Sequence, residues 1–244
     1  MSPAALTAAR MGARELRRTP VLLALLVVLP AYVVGLFTSV APEATVVVQV
    51  AGGESVRTGL ATAFPAVTTP MAAALLTGVV GLFVMHAGAA ADGRLVLAGF
   101  APAQVVAARL LLLAGVGGVA TAVSVAVMGL TVTPAHLGLF VLGVWLTAAV
   151  YGLVGVLAGV VLDRLPGVYV LLFGAMVDLF LFQNPLATDP PDAAVLLPGY
   201  YPLALAMDAA FGESVGLGPL WGSLAVLAVV GALAVGAVYR GFKT

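Results

Sequence analysis

Long apolar runs separated by short polar punctuation dominate the chain, at 21–40, 70–90, 105–130, 137–162, 168–183 and 220–239. A bilayer's hydrocarbon core is about 30 Å thick and takes roughly 20 apolar residues of α-helix to cross. The pattern therefore predicts an all-α integral membrane protein with six transmembrane helices, the fifth being the shortest. Gly and Pro gather in the connectors, where helix breakers belong. Only the connectors 41–69 and 184–219 are long enough to hold extra structure, so residues 1–244 read as a single transmembrane domain. Ahead of the first span the pattern changes. Arg10, Arg14 and Arg17 fall on one helical face, while Leu6, Ala9, Ala13 and Leu16 fall on another. An amphipathic helix within residues 1–19 would lie in the interface with its arginines among anionic headgroups. The alternative is a positive flank that merely orients the first span, but orientation alone does not require helical spacing.

Composition agrees with lipid as the main solvent. The chain has 244 residues, 63% hydrophobic and 8% charged, with a mean hydropathy of +1.20. A soluble domain carries about 25% charged residues to keep its surface wet. Charge distribution then sets the orientation. With the amino terminus in the cytoplasm, Arg10, Arg14, Arg17, Arg18, Arg94, Arg109, Arg164, Arg240 and Lys243 fall inside, and only Arg57 falls outside. Glu43, Glu54, Asp189, Asp192, Asp208 and Glu213 sort to the outer side. This is the positive-inside pattern, and removing one span would scramble it. Both termini are thus expected in the cytoplasm and the protein in the plasma membrane as a multi-pass chain. Arginines, an apolar run and Ser39-Val40-Ala41 resemble a cleavable signal, but the run exceeds the 7–15 residues of a signal core. The Ala/Gly/Val-rich, lysine-poor composition suggests a high-GC prokaryote.

Few residues offer chemistry. There is no cysteine, which excludes disulfides, thiolate metal sites and cysteine nucleophiles. Neither a Gly-x-Ser-x-Gly elbow nor a His-Glu-x-x-His zinc helix occurs, and Ser124 and Ser223 have no histidine on a shared level. No enzyme activity is expected. His86 reads as a hydrogen-bonded packing residue; His136, the other histidine, belongs to the opposite side, so no metal is expected. Basic residues track the inner membrane face, which leaves nucleic acid without a footprint. Asp178 is the one acid inside an apolar run, and an ionisable group within a span is a functional candidate by default. Two readings stand: it lines a substrate path or relays a proton, or it sits near the outer interface bonded to a neighbour with no transport role. Gly115-x-x-Gly118, Gly152-x-x-Gly155-x-x-x-Gly159 and the Gly231, Gly236 pair have spacings that permit close helix approach, in a chain where such spacings also arise by composition.

The connector after the second span carries Leu95, Leu97 and Phe100, apolar residues in a loop expected to be wet. Either a short helix offers them to a partner, or they are the inner ends of spans two and three. Together with the basic entry helix and six spans, this connector resembles the membrane subunit of an ATP-binding-cassette (ABC) type-2 transporter. There an acid, Gly-x-Leu and a proline nine residues after the glycine mark the coupling helix; Asp92, Gly93, Leu95 and Pro102 match, with Arg109 opening span three. Val96 stands where the family often has an acid. A second likeness is Tyr201-Pro202-Leu203 followed by Asp208-Ala209, similar to the family's Asn-Pro-Leu-x-x-x-x-Asp-Ala, with Tyr201 replacing the asparagine.

The resemblance implies short re-entrant helices at that second stretch and a dimer of six-span subunits, from two identical or two different chains. It also implies a cytoplasmic ATPase seated on the segment Asp92, Gly93, Leu95, Leu97, Phe100 and Pro102, and export of a substrate. ATP would bind the partner subunit and no cofactor this chain, since the only lysine is Lys243 and a Gly-x-x-x-x-Gly-Lys-Ser/Thr loop is absent. The alternatives are a small secondary transporter or channel using Asp178 as coupling carboxylate, and a non-transporting scaffold. Residues 1–130 and 131–244 show none of the internal repetition common in carriers.

Overall fold

The computed structural model describes residues 20–50, 55–97, 101–184 and 192–241. Arg10, Arg14, Arg17 and Phe100 lie outside them. In chain order the elements are α1 (Pro20–Val40), β1 (Thr45–Gln49), β2 (Ser55–Gly59), α2 (Leu60–Leu97), α3 (Pro102–Met128) and α4 (Leu137–Val161). Then come α5 (Arg164–Met176), which winds on through a π-turn (Val177–Phe182), a 3₁₀ turn (Asp192–Leu196), α6 (Tyr200–Phe211) and α7 (Leu217–Gly241). Among the described residues five helices are long and apolar enough to cross a membrane: α2, α3, α4, α5 with its π-turn, and α7. Helix α1 adds a shorter apolar stretch at Val27–Val40.

Two helices begin four or more residues earlier than hydropathy predicts, and proline is the reason in both. Helix α2 starts at Leu60, ten residues before the expected boundary, and carries Pro65 and Pro70 inside it. Each proline removes an intrahelical donor, but buried membrane helices tolerate this where Ser/Thr and neighbours re-satisfy the backbone. The carbonyls left without a helical donor are those of Ala61 and Ala66; the Thr68 and Thr69 hydroxyls donate beside them, to the Phe64 carbonyl at 2.8 Å and the Pro65 carbonyl at 2.6 Å. Helix α5 starts at Arg164 after an extended Asp163. Pro166 thus falls in the first turn, where a missing N–H costs nothing.

The all-α expectation also omits a hairpin. Strands β1 and β2 pair antiparallel, with Val47 opposite Arg57. The β-branched run Thr45-Val46-Val47-Val48 favours a strand, and alternation buries Val48 while Val47 is exposed.

Helices α2 and α4 form the centre of the bundle. Of the apolar span, 83% is buried in α2 and 67% in α4, against 17% in α7. Their contact is a glycine seam. A Cβ on Gly155 would lie 2.0 Å from the Gly78 carbonyl oxygen, and one on Gly81 would lie 2.1 Å from that of Gly152. Gly159 continues it, facing the Met85 Cβ at 2.7 Å. Such backbone approach substitutes dispersion for the hydrophobic drive that lipid cannot supply. The other spacings behave differently: Gly115 and Gly236 face open space, and Gly118 and Gly231 meet their neighbours only at ordinary contact distance.

Candidate functional site

A hydrogen-bonded cluster inside the bundle is built around Asp178. The π-turn brings this about. The Gln183 N–H donates to the Asp178 carbonyl at 2.9 Å across five residues, and the widened turn carries Asp178 inward, where it is 5% exposed. A buried carboxylate is costly unless hydrogen-bonded, and this one accepts three donors. Its Oδ2 takes the Tyr151 hydroxyl from α4 and the Gly199 backbone N–H at 2.9 Å. Its Oδ1 takes Nε2 of Gln183 at 3.1 Å, and that amide also donates to the Ala194 carbonyl at 2.8 Å. Asp178 and Gln183 together therefore link α4, the π-turn, the 3₁₀ turn and the start of α6. Gly199 is required by proximity: a Cβ there would meet Leu179 Cδ2 at 2.4 Å and Asp178 Oδ2 at 2.9 Å.

Helix α6 carries the second group of expected site residues. Its 12 residues rise only about 18 Å, too short to cross a membrane. It is nonetheless largely buried, with Pro202, Leu203, Leu205 and Ala206 among its inward residues. Gly143 of α4 admits it, since a Cβ there would lie 2.9 Å from the Ala206 nitrogen. Gly222 of α7 receives the Tyr201 ring, which would be 2.2 Å from a Cβ. Pro202 occupies the first turn, and Asp208 is 1% exposed in the third. The last carbonyls of a helix have no intrahelical donors; here the N–H groups of Ala135 and His136 supply Ala210 and Ala209 at 3.1 and 2.8 Å. Ring nitrogen Nε2 of His136 adds a contact with the Glu213 carbonyl at 3.2 Å. The hairpin closes this end, with Val50 beside Gly212.

The structure joins Asp178 to the segment of Tyr201, Pro202 and Asp208 and separates both from the connector residues. Asp92, Gly93, Leu95 and Leu97 belong to the last turns of α2, whose backbone continues unbroken to Leu97. Helix α2 has 38 residues, a rise of about 57 Å, so they lie at the bundle's far end. Pro102 opens α3 at its first position, behind an extended Ala101 whose N–H donates to Oε1 of Gln104 at 3.2 Å. Arg109 is buried two turns further in, its Nη1 3.2 Å from the Met85 sulfur. His86 donates from Nδ1 to the Leu82 carbonyl at 2.9 Å, because a carbonyl can only accept. Among the described residues no three His, Asp or Glu side chains are grouped to hold a metal ion.

Tyr151, Gln183 and Gly199 are functional candidates that the sequence reading passed over. One signal was available: a tyrosine hydroxyl in an apolar span needs a buried partner, and Asp178 was the one acid to offer it.

Five apolar helices of spanning length around a common core make this a multi-pass membrane protein. No protein-family model matches the chain, and no curated protein matches it.

Proposed function

We propose that the chain is the membrane-spanning subunit of an ABC exporter, coupling ATP hydrolysis by a separate cytoplasmic ATPase to substrate movement across the plasma membrane. In this reading α1 is the first of six spans, both termini are cytoplasmic, and the hairpin and α6 lie on the outer side. The observation that carries the reading is the pattern Asp92-Gly93-x-Leu95 with Pro102, at the junction of α2 and α3. Length supports it. The apolar part of α2, Leu60–Ala87, already covers about 42 Å, close to a whole bilayer with its headgroup layers. The turns that follow would project into the cytoplasm, within reach of a soluble partner. A buried α6 too short to span, sitting between the fifth span and the last, supports the reading as the re-entrant segment of such a subunit. A second copy of this chain or a related one completes the transporter. The carrier alternative gains nothing from Asp178, whose two oxygens are occupied by donors of its own chain.

Purification from native cells in mild detergent tests the proposal. The expected result is a stoichiometric ATPase that is lost when Leu95 and Leu97 are changed to Asp in a chain that still folds. Recovery of the intact chain without an ATPase, under conditions that preserve a known ABC complex, contradicts it.

A further inference from the structure

Helix α6 is held at both ends, but by different means. Its carboxyl end is tied by backbone bonds, Ala135 and His136 to Ala210 and Ala209, which no change of side chain removes. At its amino end the ties converge on one carboxylate, through Gly199, Tyr151 and Gln183. Beyond the Gln183 amide on its Ala194 carbonyl at 2.8 Å, the 3₁₀ turn before it has little to hold it. Ala194 is its buried residue at 1% exposure, while Val195 and Leu196 are 39% and 87% exposed. Segments with few buried apolar contacts are the first to open, and a π-turn at the point of attachment is a frequent mark of a functional site.

We propose that Asp178 is a releasable fastening. When its bonds to Tyr151 and Gly199 break, the 3₁₀ turn and the first turn of α6 lift from α4 and α5, pivoting where Ala206 rests on Gly143. The glycine seats at Gly143 and Gly222 fix the closed position to which the segment returns. Asp178 acts here as a positioning residue, and Tyr151 is its principal partner. The inference stands on the geometry of this end alone and is independent of the exporter reading.

The absence of cysteine makes the test direct. Ala194→Cys is introduced into the full chain in lipid nanodiscs, and its reaction rate with a water-soluble maleimide is measured. Val116→Cys, 5% exposed in α3, reports on the bundle. Removing one hydrogen bond to a carboxylate is expected to raise the open population about tenfold. Tyr151→Phe should therefore speed labelling at position 194 about tenfold, and Asp178→Asn by at least as much, with position 116 unchanged. Equal rates at 194 in the parent and both variants would overturn the proposal. So would parallel gains at 194 and 116 in both variants, because the cluster would then be part of the cooperative core.

Discussion

The α2–α4 seam and the Asp178 cluster solve the same problem, joining helices in a solvent that gives apolar side chains no reason to associate, by opposite means. At the seam, side chains are removed: Gly78, Gly81, Gly152 and Gly155 let two backbones touch. At the cluster a costly side chain is added and then satisfied by three donors. The first join is extended along the helices and insensitive to titration or partner exchange. The second is local and directional, and it rests on one carboxylate. A membrane protein that must keep a fixed core while moving one end has a use for both.

The sharpest way to break this comparison is to place a methyl group in the seam. Gly155→Ala puts a Cβ 2.0 Å from a carbonyl oxygen, and backbone cannot yield as a flexible side chain can. The expected loss is more than about 3 kcal/mol, seen as a collapse of the thermal transition or of the folded yield in detergent. Asp178→Ala should follow at about 2–4 kcal/mol, because it strands three donors in the interior. Amide exchange at Gly199 should then quicken while that of α2 and α4 residues in the seam does not. Tyr151→Phe removes a single donor and leaves the carboxylate two others, so a loss of about 1–2 kcal/mol is expected in the same melts. The smallest effect belongs to glycines outside the seam. Gly115→Ala and Gly236→Ala face open space and should be neutral, or stabilising by up to about 1 kcal/mol through helix propensity. A large loss at either would show that the seam is not where close packing is concentrated.

The two regions also differed in how far they could be read from sequence. Five of the spans, and much of α1, were legible because lipid demands an unbroken apolar run, and no tertiary partner needs to be known to see one. The seam was half legible. The spacing Gly152-x-x-Gly155-x-x-x-Gly159 is visible, but Gly78 and Gly81 identify it as a seam only once α2 is known to lie alongside. The cluster was hardly legible at all. Its partners stand 27 and 21 residues from Asp178, and the π-turn that turns the carboxylate inward leaves no periodic trace. The hairpin was missed for a simpler reason: the connector 41–69 was read for its length alone, although the β-branched residues Thr45 to Val48 followed by Gly52-Gly53 are a strand and turn signal. Pro65, Pro70 and Pro166 misled in the other direction, since their usual meaning as breakers fails in the first turn of a helix and inside a buried membrane helix.

Exporter function turns on what meets the far end of α2. The most direct measurement is cross-linking from Leu97→Cys in native membranes, with a short-reach photoactivatable reagent attached to the only thiol of the chain. The account predicts modification from the cytoplasmic side and one dominant adduct, whose second component is an ATPase of the ABC type. Modification from the outer side, or adducts to lipid and to this chain alone while the ATPases of the same membrane remain unlinked, would contradict it.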